Sequence, residues 1–123
     1  MRDENDLVLG TVTSAATTIE TNGSITLSDD LNVTGALDLT TDDGAIEQTG
    51  GYVIVTGVTD IDSVTGLVDL SSETNNFGDR VNVNSGVLTL GDENDLVLGT
   101  VTSAATTIET DGSITQVKKV MLR

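Results

Sequence analysis

Oxygen-bearing side chains that could bind a cation occur in two identical loops of the sequence. The motif DEND occupies residues 3–6 and returns at residues 92–95. Calcium takes six to eight oxygen ligands, and loops stacked at one corner of a repeat fold could pool their carboxylates and amides to supply them. The candidate ligands are Asp3, Asp6, Asp92 and Asp95. Solvated turns are the competing interpretation, because Asp and Asn favour turns and neither the EF-hand spacing nor the GGxGxDxUx nonapeptide occurs.

A second carboxylate pair could carry out acid and base chemistry. Asp60 and Asp62 are two positions apart, so on a strand they point to the same face, in a range compatible with glycoside hydrolysis. Binding an acidic polysaccharide would also need Arg or Lys nearby, yet residues 3–79 contain fifteen acidic and no basic residues. We therefore expect this protein not to be an enzyme.

The composition of the chain excludes several other function classes. With 123 residues, 20 acidic and five basic side chains, the net charge is −15, so we expect no nucleic-acid partner. Cys and His are absent, which excludes disulfides, zinc sites and imidazole or thiol catalysis. No cofactor is expected. Tyr52 and Phe77 are the only aromatic residues, so the core must be aliphatic.

No apolar run approaches the ~20 residues of a membrane span, and the first residues lack the apolar stretch of a signal peptide. We therefore expect no membrane insertion, and no signal peptide within this chain.

Internal repeats dominate the sequence. Residues 3–26 return at residues 92–115 with the single change Asn22 to Asp111, at an offset of 89. Within that unit, Gly followed by an apolar step recurs at spacings of 21, 22, 20 and 26, at positions Gly23, Gly44, Gly66, Gly86 and Gly112. Four sub-repeats of about 22 residues would fill one 89-residue unit. A sub-repeat of this length is typical of one solenoid coil. The two copies of the repeated segment, residues 3–26 and 92–115, are called twin stretches, and they should then take the same conformation.

The local pattern predicts strands throughout the chain. Thr, Val and Ile are abundant, apolar residues alternate with polar ones, and no window has a helical period. Two all-β architectures fit: a parallel β-solenoid, or an immunoglobulin-type sandwich whose hairpins turn at the Asx-Gly dipeptides at positions 22, 43 and 111. The solenoid is favoured, because its coils contact only their neighbours and tolerate a fractional second repeat.

The predicted fold is a parallel β-helix (β-solenoid) of five to six coils with about 22 residues per coil. It spans residues 1–116, with one unit at 3–91 and the start of a second at 92–115. A basic tail follows at 117–123, as a cap, a self-pairing strand or a non-native extension. The predicted core is Leu9, Ile19, Ile25, Leu31, Val33, Leu37, Leu39, Ile46, Val53, Val55, Leu70, Val81, Val83, Leu88, Leu90, Leu96, Leu98, Ile108 and Ile114.

Several phrases of the sequence resemble a known class of repeats. They are NDLVLG, TTIETDGSI, LNVTGALDLTTDDGAIEQTGG and TNNFGDRVNVNSGVLTLGDENDLVLG. From residue 3 to about residue 115 the chain is similar to the β-strand repeats in the shafts of filamentous-haemagglutinin-like, two-partner-secretion adhesins of bacterial surfaces. The resemblance implies a right-handed β-helix, an extracellular or cell-surface location, and a role as stalk or adhesive surface.

The expected function is therefore that of a structural or adhesive shaft segment of a secreted or cell-surface protein. A calcium-dependent binding module is the alternative, and a carbohydrate-active enzyme is the less favoured one. Open coil edges should promote end-to-end association between copies. A host or surface glycan is the partner expected for the longer protein to which such a segment would belong.

Overall fold

The computed structural model describes residues 1–117 and, as backbone, residues 120–122. Eighteen strands and no helix occur in this part of the chain, so it holds no helix that could cross a membrane. The strands are β1 (Arg2–Asp3), β2 (Leu7–Leu9), β3 (Val12–Ser14), β4 (Thr17–Thr21), β5 (Ile25–Leu27), β6 (Leu31–Val33), β7 (Leu37–Thr41), β8 (Ile46–Gln48), β9 (Val53–Val55), β10 (Thr59–Asp62), β11 (Val68–Leu70), β12 (Asn76–Phe77), β13 (Val81–Asn84), β14 (Val87–Asp92), β15 (Leu96–Ser103), β16 (Ala105–Thr110), β17 (Ile114–Gln116) and β18 (Val120–Leu122).

The strands form three parallel sheets that run along one axis. The eight-stranded sheet has the order β1-β4-β7-β10-β13-β15-β17, with β18 also on β15; the six-stranded sheet has β16-β14-β11-β8-β5-β2; the four-stranded sheet has β12-β9-β6-β3. As far as β13, each turn of the chain adds one strand to each sheet, and the last turns add strands only to the six- and eight-stranded sheets, which makes a β-solenoid of about six turns. The predicted fold is confirmed. The sandwich alternative is wrong, because it needs antiparallel neighbours.

The number of residues in one coil changes along the axis. In the middle of the solenoid Asp60 faces Asn82, which is the interval that the sub-repeat predicts. Near the two ends the coils are shorter by several residues, since Leu7 faces Ile25 and Val81 faces Leu98. The mean is therefore about 20 residues per turn, slightly less than the length of the sub-repeat.

The core fills the space between the three sheets and consists of aliphatic side chains. Alternate residues of each strand point inward, as in β7, where Leu37 and Leu39 are buried and Asp38 between them is exposed. Seventeen of the nineteen predicted core residues are buried. Five further residues join them that the prediction omitted: Leu27, Ile61, Val68, Phe77 and Val101.

Two predicted core residues lie outside the fully buried set. Ile114 was assigned wrongly, since its side chain is 49% exposed, and Ile108 is only partly buried against the core. Both lie in the last turns, where no complete coil covers them in the part of the chain described. Their twins one repeat earlier, Ile25 and Ile19, are 0% exposed because a coil lies on each side of them.

The twin stretches keep their internal contacts but lie in different sheets. The Asp6 carboxylate accepts the Ser24 amide at 2.8 Å, and Asp95 accepts the Ser113 amide at the same distance. Nevertheless β2 belongs to the six-stranded sheet, whereas the same residues one unit later begin β15 of the eight-stranded sheet. The β2 and β3 segments, separate in the first copy, also merge into β15 in the second.

The phase difference follows from the lengths of the coils. Four successive pairings in the six-stranded sheet lead from Leu7 to Leu88, whereas the twin of Leu7 is Leu96, on the next side of the solenoid. An 89-residue unit is therefore four coils plus about one side of the solenoid. The expectation that four coils fill the unit is therefore wrong.

The C-terminal tail contributes a strand to the solenoid. Its β18 pairs in parallel with β15, so that Val101 faces Val120. In the first copy Val12, the twin of Val101, faces Leu31 across a step of the same length. The tail strand thus occupies the position that β6 holds over the first copy. Lys118, Lys119 and Arg123 lie outside the described residues.

Four of the recurring glycines, Gly23, Gly44, Gly66 and Gly86, form a column at one corner of successive coils. A Cβ on Gly44 would lie 2.0 Å from the carbonyl oxygen of Gly23, and one on Gly66 would lie 2.4 Å from that of Gly44. Both contacts are with backbone, which cannot move aside without breaking the ladder. The glycine rhythm of the sequence is therefore the spacing at which coils pass closest to one another.

We expect Gly44→Ala to lower the free energy of unfolding by roughly 3 kcal/mol, because the methyl group would force two coils apart. The matched control is Gly10→Ala, since a Cβ there meets nothing within 4 Å; it should change stability by less than about 0.5 kcal/mol. Urea unfolding of both variants measures the difference. Equal stabilities would show that the coils do not approach each other at this corner.

Candidate functional site

The outer surface of the eight-stranded sheet carries two columns of polar side chains. In the first, Asp38, Asp60 and Asn82 occupy matching positions of β7, β10 and β13. In the second, the matching residues are Thr40, Asp62 and Asn84. Because alternate residues of a strand face outward, both columns follow from the inward alternation of the core residues. We call these six residues the polar face.

Hydrogen bonds between neighbouring strands hold the side chains of the polar face in place. The Asn82 amide donates to Asp60 Oδ1 at 2.7 Å, and the Asn84 amide donates to Asp62 Oδ1 at 3.2 Å. The backbone N–H of Thr100 donates to Asn82 Oδ1 at 2.9 Å. The polar face thereby lines a shallow open groove of about 420 Å³.

The electrostatics of the polar face are acidic and open to solvent. Asp38 lies opposite Asp60 in the register, and paired parallel strands are ~4.8 Å apart. Like charges in facing positions oppose sheet formation by a few tenths of a kcal/mol to about 1 kcal/mol. The surface therefore presents carboxylate and amide groups that can bind hydroxyl or ammonium groups of a ligand.

The predicted acid and base pair lies within this face. Asp60 and Asp62 are on the same side of β10, as the sequence predicts, and both are exposed. Each accepts a hydrogen bond from an Asn side chain of the next coil. Asp62 Oδ1 also accepts the backbone N–H of Val64 at 3.0 Å, so both carboxylates are hydrogen-bonded on an open surface.

The DEND loops use their carboxylates to fix their own backbone. Asp3 Oδ1 accepts the Asn5 amide, and in the second copy Asp92 Oδ1 accepts the Asn94 amide, each at 2.8 Å. These are Asx turns of the kind that Asp favours. The second aspartate of each motif, Asp6 or Asp95, accepts a backbone amide from the coil that follows.

The fold does not bring the two DEND loops together. They are separated by four coils and lie at different corners, because the 89-residue unit is not a whole number of coils. Among residues 1–117, no group of three or more carboxylates has a geometry that could hold a metal ion. The stacked arrangement on which the calcium prediction depended is therefore not formed.

Asp92 is the carboxylate whose environment the sequence did not reveal. It is 1% exposed, and its Oδ2 accepts the backbone N–H of Phe77 at 3.0 Å. Burial raises the pKa of Asp92, while the amides of Asn94 and Phe77 partly oppose that change. No local signal could have shown this, because the motif is identical at residues 3–6 and only the coil beneath it differs.

A buried pair of amide side chains was also missed. Asn75 is 0% exposed, and its Oδ1 accepts the backbone N–H of Val53 and the Gln48 side chain, each at 2.8 Å. Its Nδ2 donates to the carbonyl of Leu70 at 3.0 Å and to Gln48 Oε1 at 2.9 Å. The pair satisfies backbone groups where the chain leaves the six-stranded sheet, so its role is to fix that corner.

We expect the ionisation of Asp92 to destabilise the fold. Because its pKa is raised in the folded state, its contribution to stability is complete below the unfolded pKa of about 3.9 and is lost as pH rises through the folded pKa. Urea unfolding between pH 3.5 and 6.5 should show the wild type losing stability relative to Asp92→Asn, which cannot ionise. A difference that is constant with pH, or that changes in the opposite direction, would contradict this expectation.

One repeat family matches the sequence. The family described as repeats of unknown function (DUF5649) matches at residues 1–43, 28–84 and 85–121. No curated protein and no solved structure matches the chain. The three matched ranges together cover almost all of the 123 residues and agree with a fold made of successive similar coils. The chain therefore belongs to the DUF5649 family of repeats of unknown function.

Proposed function

We propose that this protein is a non-enzymatic structural segment, a rigid spacer with an adhesive surface, in a secreted or cell-surface repeat protein. The observation that carries the proposal is the continuity of the parallel ladders along the axis. The eight-stranded sheet joins every turn from β1 to β17, so a pull along the rod loads backbone hydrogen bonds at each step. Such a molecule sets a distance between whatever lies at its two ends.

The composition of the core supports rigidity. The buried set consists of Leu, Ile, Val and a single Phe, stacked coil upon coil, and short corners join the strands. Nearly every coil is bonded to its neighbour in register, as in the five-residue match between β4 and β7. A solenoid with a continuous core bends little over its length.

The outer surface supports the adhesive part of the proposal. The polar face presents two ordered columns of carboxylate, hydroxyl and amide groups in an open groove. Such groups pair with the hydroxyls of a glycan, which is the partner class that the resemblance to adhesin shafts favours. The net charge of −15 keeps the rod soluble and repels other acidic surfaces.

Neither rival function has an observation of comparable strength. A calcium-dependent module would need carboxylates that converge, but those of the DEND loops are bonded to backbone amides. A glycosidase of the usual kind pairs a carboxylic acid in an apolar pocket with an ionised carboxylate, whereas Asp60 and Asp62 are both exposed. The spacer function needs only the ladder and the core.

The test is to lengthen the chain by a second copy of residues 3–91, inserted after residue 91. Small-angle X-ray scattering should show the longest dimension growing by about 20 Å, four coils and one side at ~4.8 Å per coil, with an unchanged cross-section. A control insert of the same length made of Gly and Ser should add a flexible segment without a defined cross-section. Growth in cross-section at constant length would contradict the spacer function.

A further inference from the structure

The repeated segment occurs twice in the molecule, and neighbouring strands cover different parts of the two copies. In residues 3–26, strands β2 and β3 have β5 and β6 above them and no strand below them among the described residues, whereas β4 and β5 have a strand on both sides. In residues 92–115, strands β15, β16 and β17 lie on β13, β14 and β15, respectively. Strands β17 and β18 lie above β15, and no described strand lies above β16 or β17. Because the two sequences differ at one position, each copy shows how the other would look when covered on its open side.

The upper surface of the second copy is uncovered relative to its twin. Ile114 is 49% exposed, whereas Ile25 at the same place in the repeat is 0% exposed. Ile108 is partly buried, whereas Ile19 is fully buried. The sequence of this surface is therefore one that buries its isoleucines when a coil lies on top.

At the lower surface of the first copy, apolar side chains are less buried than their twins in the second copy. Leu7 and Val12 are only partly buried against the core. Their twins Leu96 and Val101 are both 0% exposed, because β13 lies beneath β15. The underside of the first turn is thus apolar, and the second copy shows the same residues covered by a strand.

The backbone at both surfaces has an open edge. Strands β16 and β2 are the two terminal strands of the six-stranded sheet. In β2 the N–H of Leu7 donates to the carbonyl of Ser24 in the coil above, at 2.8 Å. Since consecutive residues of a strand direct their backbone groups to opposite edges, those of Val8 face the open side. Such edges are templates for another strand.

We propose that the last turn of one molecule docks under the first turn of a second copy, head to tail, with β16 of one pairing in parallel with β2 of the next. Translation along the axis preserves the direction of the strands, so the joint continues the ladders of the fold. It would cover Ile108 and Ile114 of one copy with Leu7 and Val12 of the other.

The two ends of the molecule present different surfaces. Leu7 and Val12 lie at the lower end, and Ile108 and Ile114 lie at the upper end. The contact is heterologous, because the two surfaces differ, and a heterologous contact that does not close into a ring produces open chains of molecules.

The test uses the full chain with one variant at each end and one on the side. Ile114→Asp places a charge on the upper surface, and Val8→Pro removes an N–H from the open edge of β2 without touching its bonds to β5. Val87→Asp is the control, since Val87 is 46% exposed on the outer side of β14, one strand beneath the terminal strand β16. If Val8→Pro does not fold, as judged by circular dichroism, Val12→Lys takes its place.

Sedimentation velocity up to about 1 mM should show the wild type and Val87→Asp forming a concentration-dependent series of oligomers. Each end variant alone should associate at least tenfold more weakly. An equimolar mixture of the two end variants should form dimers and stop there, because each supplies the one intact end that the other lacks. That result distinguishes head-to-tail from head-to-head contact, in which one variant alone would still dimerise.

A wild type that is strictly monomeric throughout this range would overturn the proposal, as would equal loss of association in Val87→Asp or a mixture that remains monomeric. The proposal rests on the solenoid fold and on the rod-like shape of the proposed function. The proposed association and the proposed spacer function can fail separately. A chain lengthened by one repeat unit can grow along one axis without associating, and association can occur without adhesion.

Discussion

The close parallel stacking of one coil on the next is the constraint on which the rest of the structure depends. At ~4.8 Å between strands, the backbone amides and carbonyls of an interior coil are satisfied by the coils above and below it. The corner glycines exist because a Cβ on Gly44 would meet the carbonyl of Gly23 at 2.0 Å. Apart from Phe77, the core is aliphatic, and its side chains of medium size fill the space between the three sheets. The same register aligns Asp38, Asp60 and Asn82 in one column on the outward side of the sheet.

The repeated segment separates what a sequence specifies locally from what its position adds. Both copies form the same Asx turn and the same bond to a following serine amide, so those contacts belong to the segment itself. The exposure of a side chain depends instead on the position of the copy, since Asp92 is buried and its pKa is raised, in a motif that also occurs at residues 3–6. A unit of four coils and one further side places identical residues on different sides of the solenoid. The adhesive surface proposed above would consequently turn about the axis from one unit to the next.

Much of the fold could be predicted because its signals are local and periodic. Alternation of apolar residues identified most of the core, and the glycine spacing identified the coil length in the middle of the solenoid. The shorter coils near the ends and the phase of the second copy could not be predicted, because they depend on corners that differ by a few residues, such as the continuous β15 in place of β2 and β3. The outward pairing of Asp60 and Asp62 was predictable from their spacing. The buried Asn75 and Gln48 were not, since their partners are groups of other coils, up to 27 residues away. The exposure of Ile114 likewise depends on what lies beyond its own turn.

Engineered disulfides test the stacking of coils most directly, because the chain has no native cysteine to interfere. Asp60 and Asn82 face each other across the register of β10 and β13, so Asp60→Cys with Asn82→Cys should oxidise readily to an intramolecular disulfide. Asp60→Cys with Asn84→Cys is the matched control, two positions out of register on the same face, and it should cross-link much less. Mass spectrometry of the oxidised monomers gives the yields. Preferential closure of the in-register pair is the predicted result, whereas equal yields, or closure of the control alone, would contradict a solenoid of stacked parallel coils.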